Sequence, residues 1–292
     1  MDEPLVVCRD LEFFRGETRV LDHLNFTVPK GGIAGLLGKN GAGKSTTINL
    51  LMGFLQPQAG ELSVLGYPSH AIPNEARSRI GLLHEGFTQF DFMTIAEVER
   101  FYSGFYPRWD AAVFWDLVGR MKLPKTRRVA RLSCGQRSQV TLGVILAQHA
   151  ELLVLDDFSL GLDVGYRRLF LEYLREYADE HGTTVLLTSH VVSELDSFLD
   201  RVLLLQRGRM IADKSRDEFK ADYHCYVSER TEAACAMKAG EKGVINIEDT
   251  RDARFFYTDL SGEAFARALG SSEFREEPMT FEDVFVGLTG RY

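Results

Sequence analysis

Residues 38–45 read Gly38-Lys39-Asn40-Gly41-Ala42-Gly43-Lys44-Ser45, the pattern G-x-x-x-x-G-K-S. The run is informative because its flanks fit it. Before it stands the apolar stretch Ile33-Ala34-Gly35-Leu36-Leu37, which reads as a buried strand. After it, residues 45–52 read as a helix with Ile48, Leu51 and Met52 on one face. A glycine-rich turn between a strand and a helix aims several backbone N–H groups, and the positive end of the helix, at one point. Glycines let the chain curl around phosphate oxygens where side chains would collide. Lys44 reaches the β/γ-phosphates and the Ser45 hydroxyl is placed to ligate Mg²⁺. A chain with this loop in this context is expected to bind a nucleoside triphosphate. Gly38, Asn40, Gly41, Ala42, Gly43, Lys44, Ser45 and Thr46 are the candidate contacts.

Composition narrows the partners. The chain has 292 residues, 45% of them hydrophobic and 26% charged, which suits one or two globular domains. A net charge of −8 provides no global basic field, so nucleic acid is not expected as the partner. No apolar stretch is long enough to span a bilayer, and Met1-Asp2-Glu3-Pro4 lacks an apolar signal region. Cys8, Cys134, Cys225 and Cys235 are scattered without metal-site spacing and read as reduced thiols of a cytosolic protein.

Hydrophobic periodicity divides the chain. Residues 5–28 read as two strands joined at Arg15-Gly16-Glu17, and residues 62–66 and 80–83 as further strands. Over 87–149 strand signals vanish and helices are expected at 94–105, 110–121 and 137–148, an insertion into an α/β core. Its aromatics (Phe87, Phe90, Phe92, Phe101, Tyr102, Phe105, Tyr106, Trp109) are ordinarily packing, or else line a docking groove. The α/β pattern resumes with strands at 152–155, 184–188 and 202–205, and helices through Phe170, Leu174 and Tyr177 and over 191–200. Gly182 is a plausible helix stop. Strands alternating with helices imply a mostly parallel sheet. Beyond residue 214 lie expected strands at 225–227, 244–247 and 255–257. Expected helices follow at 231–239, 262–269 and 280–288, the last opened by Thr280-Phe281-Glu282-Asp283 as a capping box. The domains expected are 1–214 for nucleotide binding and 215–292 as a small α+β accessory or regulatory appendage.

Four further positions carry chemistry. Asp156 ends the apolar strand 152–155; read alone it is equally an acid without a role, but downstream of a complete phosphate loop it is favoured as a Mg²⁺ ligand. Asp157 follows and is a candidate to polarise the attacking water. His190 follows the strand 184–188; a lone histidine is more often structural, yet one here is able to reach the γ-phosphate. Leu132-Ser133-Cys134-Gly135-Gln136 opens an expected helix, so a hydroxyl and glycine N–H at its tip form a second anion site. Within one chain that site is redundant. It makes sense closing over nucleotide held by another subunit.

In order and spacing these elements resemble the nucleotide-binding subunits of ATP-binding cassette (ABC) transporters. The resemblance rests on the phosphate loop, the LSGGQ-like run at 132–136, the strand and acids at 152–157, the Gly161-Leu162-Asp163 loop and His190, and covers roughly residues 5–213. It implies a P-loop NTPase core with an N-terminal antiparallel β portion and an inserted helical subdomain. The closing Met279-Thr280-Phe281-Glu282-Asp283-Val284-Phe285 resembles the C-terminal extension of a bacterial exporter-like subgroup. The resemblance further implies ATP and Mg²⁺ as ligands, and a head-to-tail dimer sandwiching two ATP molecules. It also implies a separately encoded membrane permease and a peripheral position on the cytoplasmic face of the membrane. Ser133, Cys134, Gly135, Gln136 and Asp163 would serve the other subunit's ATP, Phe14 (or Phe13) would stack on adenine, and Glu85 would join Ser45 and Asp156 at the metal.

The departures bear on rate. The family's usual catalytic Glu is Asp157 here, one methylene shorter, and misplacing a base by about 1 Å costs roughly a hundredfold. Phe158 stands for the usual Pro, Glu85 for Gln, Cys134 for the first Gly of the signature, and Lys39 for a common Pro. The leading expectation is an ATPase driving a permease. The alternatives are a slow or degenerate cassette in a heterodimer, and a soluble cassette protein outside transport.

Overall fold

The computed structural model describes residues 3–84, 91–158, 162–189 and 192–290. The chain divides into two compact units, Met1–Val191 with Phe198–Asp213, and Val192–Ser197 with Lys214–Tyr292.

The first unit opens with β1 (Val6–Arg15), β2 (Thr18–Val28), β3 (Ile33–Leu37), α1 (Lys44–Leu51), β4 (Ala59–Val64), β5 (Tyr67–Pro68), α2 (Asn74–Arg77) and β6 (Ile80–Leu83). Three helices follow, α3 (Ile95–Ser103), α4 (Ala111–Gly119) and α5 (Cys134–Leu146). The α/β part then resumes as β7 (Leu152–Leu155), α6 (Val164–His181), β8 (Thr184–Ser189), β9 (Arg201–Gln206) and β10 (Arg209–Ser215).

Two sheets result. One is antiparallel, in the order β2-β1-β4-β5; the other runs β10-β9-β3-β8-β7-β6, and β9, β3, β8, β7 and β6 are mutually parallel. Every residue of β3, β7 and β8 is buried, as strands covered on both faces must be, which is why β3 and β7 read as unbroken apolar runs and β8 carries Val185-Leu186-Leu187 at its centre. In β1 and β2 burial alternates, and Val6, Cys8, Leu11 and Phe13 join Leu21, Leu24 and Phe26 in a core shared with Ile48 and Leu51 of α1. This order puts the carboxyl ends of β3, β8 and β7 side by side, where ligands of such sheets collect.

Residues 91–149 hold no long strand, and their core is Ile95, Val98, Phe114, Val118, Val140 and Val144. The helices begin where their side chains supply missing acceptors. Thr94 and Glu97 form a capping box at α3, and Asp110 accepts from Ala112 N at the start of α4. Trp109, Phe114 and Trp115 pack on one another, whereas Phe92 and Phe105 lie mostly in solvent. Phe87 and Phe90 lie outside the described residues. α6 stops at Gly182, whose φ of 64° is left-handed.

The helix expected over 191–200 is absent among the described residues of that segment, which form turns instead. The apolar spacing is helical, but the backbone groups have other partners. Asp200 N–H donates to Ile33 O, Asp196 O accepts from Arg216 and Phe198 O accepts from Arg175. With those groups committed, only tight turns such as Leu195 N–H to Val192 O form.

The second unit comprises α7 (Arg216–Ala221), β11 (His224–Glu229), α8 (Glu232–Ala236), β12 (Val244–Asp249), β13 (Ala253–Thr258), α9 (Gly262–Leu269), β14 (Arg275–Glu277) and α10 (Phe281–Thr289). The run β11-α8-β12-β13-α9-β14, with strand order β12-β13-β11-β14 and antiparallel pairing throughout, is a split β-α-β arrangement. Tyr226, Phe256 and Phe265 fill one face of the sheet. Against the other, α10 brings Gly287 so close to Tyr257 that a Cβ there would lie 2.1 Å from the ring. Thr280 and Asp283 form the capping box of α10. Sequence periodicity did not reveal β10, α7 or β14, which are short or charged. No helix among the described residues is long and apolar enough to cross a membrane.

Candidate active site

The phosphate loop leaves β3 at Leu37 and enters α1 at Lys44. Two of its glycines are required by close approach or backbone conformation. A Cβ on Gly38 would fall 2.4 Å from Leu205 O, and Gly43 caps α1 at φ 112°, a conformation side chains resist. The loop is tied to its surroundings through the turn after β9: Gly208 N–H donates to Ala42 O at 3.0 Å, and Asp22 N–H donates to Gly208 O at 3.0 Å. No side chain caps the start of α1. Asn40 and Gly41 are exposed, Ser45 and Thr46 half-buried.

Lys44 Nζ donates to Gly38 O at 2.7 Å and Lys39 O at 3.1 Å, folding back over its own loop. Burial pushes its ammonium below the ordinary range, and the carboxylates of Asp157 and Asp156 act in the opposite direction. Those acids stand at the end of β7. Asp156 is 1% exposed; its Oδ1 accepts from Ser45 Oγ at 3.2 Å and from Thr188 Oγ1 at 2.7 Å. Its Oδ2 is buried without a hydrogen-bond partner among the described residues. A buried carboxylate oxygen left over beside a serine hydroxyl fits a hard divalent cation. No group of three or more acids, histidines or cysteines that could hold a metal ion stands among the described residues. Mg²⁺ takes one or two protein oxygens and completes its shell with water and phosphate.

Asp157 adopts φ 44°, a left-handed conformation that Asp tolerates better than most residues. Its N–H donates to Thr188 Oγ1 at 2.9 Å. Phe158 is buried and stacks on Phe170 at 5.2 Å, anchoring the chain just after the two acids. Thr188 is therefore the residue that sequence reading passed over. Its signal was faint: a hydroxyl at the carboxyl end of a strand neighbouring the Asp156 strand. Glu85 and His190 lie outside the described residues.

A second group forms at the tips of α5 and α6. Ser133 caps α5, its Oγ accepting from Gln136 N at 3.2 Å while Gln136 Oε1 accepts from Ser133 N at 3.1 Å. Cys134 is exposed and Gly135 buried. Asp163 caps α6 by accepting from Tyr166 N at 3.0 Å, and Gln136, Asp163 and Tyr166 line one open cleft of about 420 Å³. Phe14 is half-buried, with the Arg19 guanidinium 5.1 Å from its ring centre and its backbone clamped by Gln58. Phe13 points into the core.

Residues 21–159 match the family described as ABC transporter. The Nod factor export ATP-binding protein I of a Rhizobium species is 33% identical over 289 residues, covering 94% of each chain. The protein of that description from Burkholderia lata is 32% identical over 306 residues, covering 97% of this chain and 96% of its own. A solved structure of the ATP-binding subunit of an ABC transporter superposes with a TM-score of 0.66 at 26% identity, over 74% of this chain and 92% of that one. The glycine loop, the acids at the end of β7 and these likenesses agree: the chain belongs to the ABC transporter family, as an ATP-binding ATPase subunit of a transporter.

Proposed function

We propose that this subunit hydrolyses ATP to drive a separately encoded membrane permease, an exporter, on the cytoplasmic face of the membrane. Two cassettes, identical or not, would clamp ATP between the phosphate loop of one and the α5 tip of the other. The observation that carries the reading is the Ser45–Asp156 hydrogen bond beneath the glycine loop, with the second carboxylate oxygen of Asp156 left over.

In this reading the amides of Gly41, Gly43, Lys44, Ser45 and Thr46 hold phosphate oxygens. Lys44 leaves the carbonyls of Gly38 and Lys39 to reach the triphosphate. Ser45 and Asp156, with Glu85, hold Mg²⁺, which when bound offsets negative charge on the phosphates. Asp157 accepts a proton from water as the water oxygen bonds to the γ-phosphorus and the bond to ADP breaks. His190 senses the γ-phosphate, and Phe14 stacks on adenine. Ser133, Cys134, Gly135, Gln136 and Asp163 complete the partner's site. Binding that favours the closed pair, followed by hydrolysis, gives a two-state cycle, and residues 87–149 carry it to the permease. Residues 215–292 act as an accessory domain.

A second reading, a slow cassette paired with a faster partner, is favoured by Asp157 standing where the family usually has Glu. Affinity purification from membranes, with identification of the bound permease and any second cassette, tests both. Recovery of a multi-span protein and one cassette type supports the first, two cassette types the second, and no membrane protein counts against both.

A further inference from the structure

We propose that Thr188 is a positioning residue that orients both acids of the site through one hydroxyl. The inference rests on the roles given above to Asp156 and Asp157. The geometry is specific. β7 and β8 are parallel neighbours with Leu155 beside Leu187, so the next residue of each strand brings Asp156 next to Thr188. Thr188 is fully buried, and its hydroxyl has one proton to give. An ionised carboxylate accepts only, so that proton goes to Asp156 Oδ1 at 2.7 Å. A lone pair of the same oxygen takes the Asp157 N–H at 2.9 Å.

Two consequences follow. Asp156 Oδ1 is held by Thr188 and Ser45 together, which fixes the rotation of the carboxylate and leaves Oδ2 as the oxygen presented to a cation. The Asp157 amide is fixed in the left-handed conformation that aims its side chain. A threonine serving only to fill space would lose nothing on replacement by valine, which has nearly its shape. A positioning threonine loses both bonds, so Asp156 Oδ1 and the Asp157 N–H each give up that partner. Outer-shell partners of metal ligands typically cost ten- to a hundredfold in metal affinity or activity when removed.

The test uses the full chain as parent, Thr188→Ser, Thr188→Val and Thr188→Ala, the last standing in should valine fail to fold. Binding of a fluorescent ATP analogue is titrated in EDTA and against rising Mg²⁺, alongside kcat, KM and the unfolding midpoint. We expect metal-free nucleotide affinity to be the same in all. In Thr188→Val the Mg²⁺ needed for half-maximal tightening of nucleotide should rise roughly tenfold and kcat should fall roughly ten- to a hundredfold, while Thr188→Ser returns both to near the parent. The proposal is overturned if valine leaves the Mg²⁺ requirement and kcat unchanged, if serine does not rescue, or if affinity falls equally in EDTA. A parent that binds no nucleotide sinks the reading of the acids, and this inference with it. A parent that responds to Mg²⁺, with a valine variant that matches it, sinks the role of Thr188 alone.

Discussion

The ring of Tyr166 lies so tightly over Gly135 that a Cβ on Gly135 would fall 2.2 Å from Tyr166 Cδ2 and 2.4 Å from Cγ. The tip of α5 and the start of α6 thus meet through an aromatic ring on a bare backbone. Gly135→Ala must push that ring aside, and overpacking of this kind costs about 1–3 kcal/mol. Chemical denaturation should show this loss, and Tyr166→Ala added to Gly135→Ala should recover most of it. Equal stability of Gly135→Ala and parent would contradict the contact.

Lys44→Ala should weaken ATP binding by roughly ten- to a hundredfold, the range of a charge-assisted hydrogen bond. The nearby Asp157 and Asp156 carboxylates attract the Lys44 ammonium. Its removal also leaves those two acids facing the triphosphate without that counter-charge. Equilibrium binding of a fluorescent ATP analogue measures the effect; unchanged affinity undoes the phosphate-loop assignment.

Asp157→Asn should abolish turnover while leaving ATP binding intact. The left-handed φ of 44° at this position makes the comparison clean, since Asn tolerates that region as Asp does. Steady-state ATPase activity is expected to be slow in the parent and absent in the variant. If the Asn variant keeps the parent's rate, Asp157 is not the base. Asp157→Glu places a longer side chain on the same strained backbone, so a rate gain from reach competes with a conformational cost.

Ser133 has two separable duties, capping α5 and, in the proposed dimer, meeting phosphate. Ser133→Ala loses both and should destabilise the fold by about 1 kcal/mol. Ser133→Asp keeps an acceptor for Gln136 N and a favourable charge at the helix tip, so stability should hold. Its carboxylate would repel triphosphate, and ATP-dependent dimerisation measured by light scattering should disappear. A Ser133→Asp chain that still dimerises with ATP excludes this contact.

His23 gives a pH dependence of definite sign. Its Nδ1 lies 2.7 Å from Asp10 Oδ1 and its Nε2 3.5 Å from Glu12 Oε1. The Asp10 hydrogen bond first, then the charges of Glu12 and Asp10, raise the imidazole above its ordinary 6.5. The folded chain therefore holds this proton more tightly than the unfolded one. The stabilisation is complete below about pH 6.5 and is lost as pH rises through the folded value. Thermal midpoints of parent and His23→Asn, which suits the same left-handed backbone, should differ most below about pH 6.5 and draw together as pH rises through the folded value. A difference that grows with pH would reverse the assignment.

The sequence by itself determined the local machinery. Loop chemistry between an apolar run and a helical stripe located the phosphate loop. Apolar runs marked β3, β7 and the Val185-Leu186-Leu187 centre of β8, and side-chain spacing marked Gly182 and the Thr280–Asp283 box. These are short-range effects, written within a few residues of where they act. Tertiary structure decided what depends on neighbours distant in sequence. That Thr188 serves Asp156 and Asp157, 32 and 31 residues away, follows from strand order and register. That Phe13 is core and Phe14 is not follows from a register shift between β1 and β2. The helical spacing over 191–200 yields to turns because Ile33, Arg175 and Arg216 take its backbone groups. A hydrogen bond has no sequence range, so which residue donates to a buried carboxylate is fixed only once the strands lie side by side.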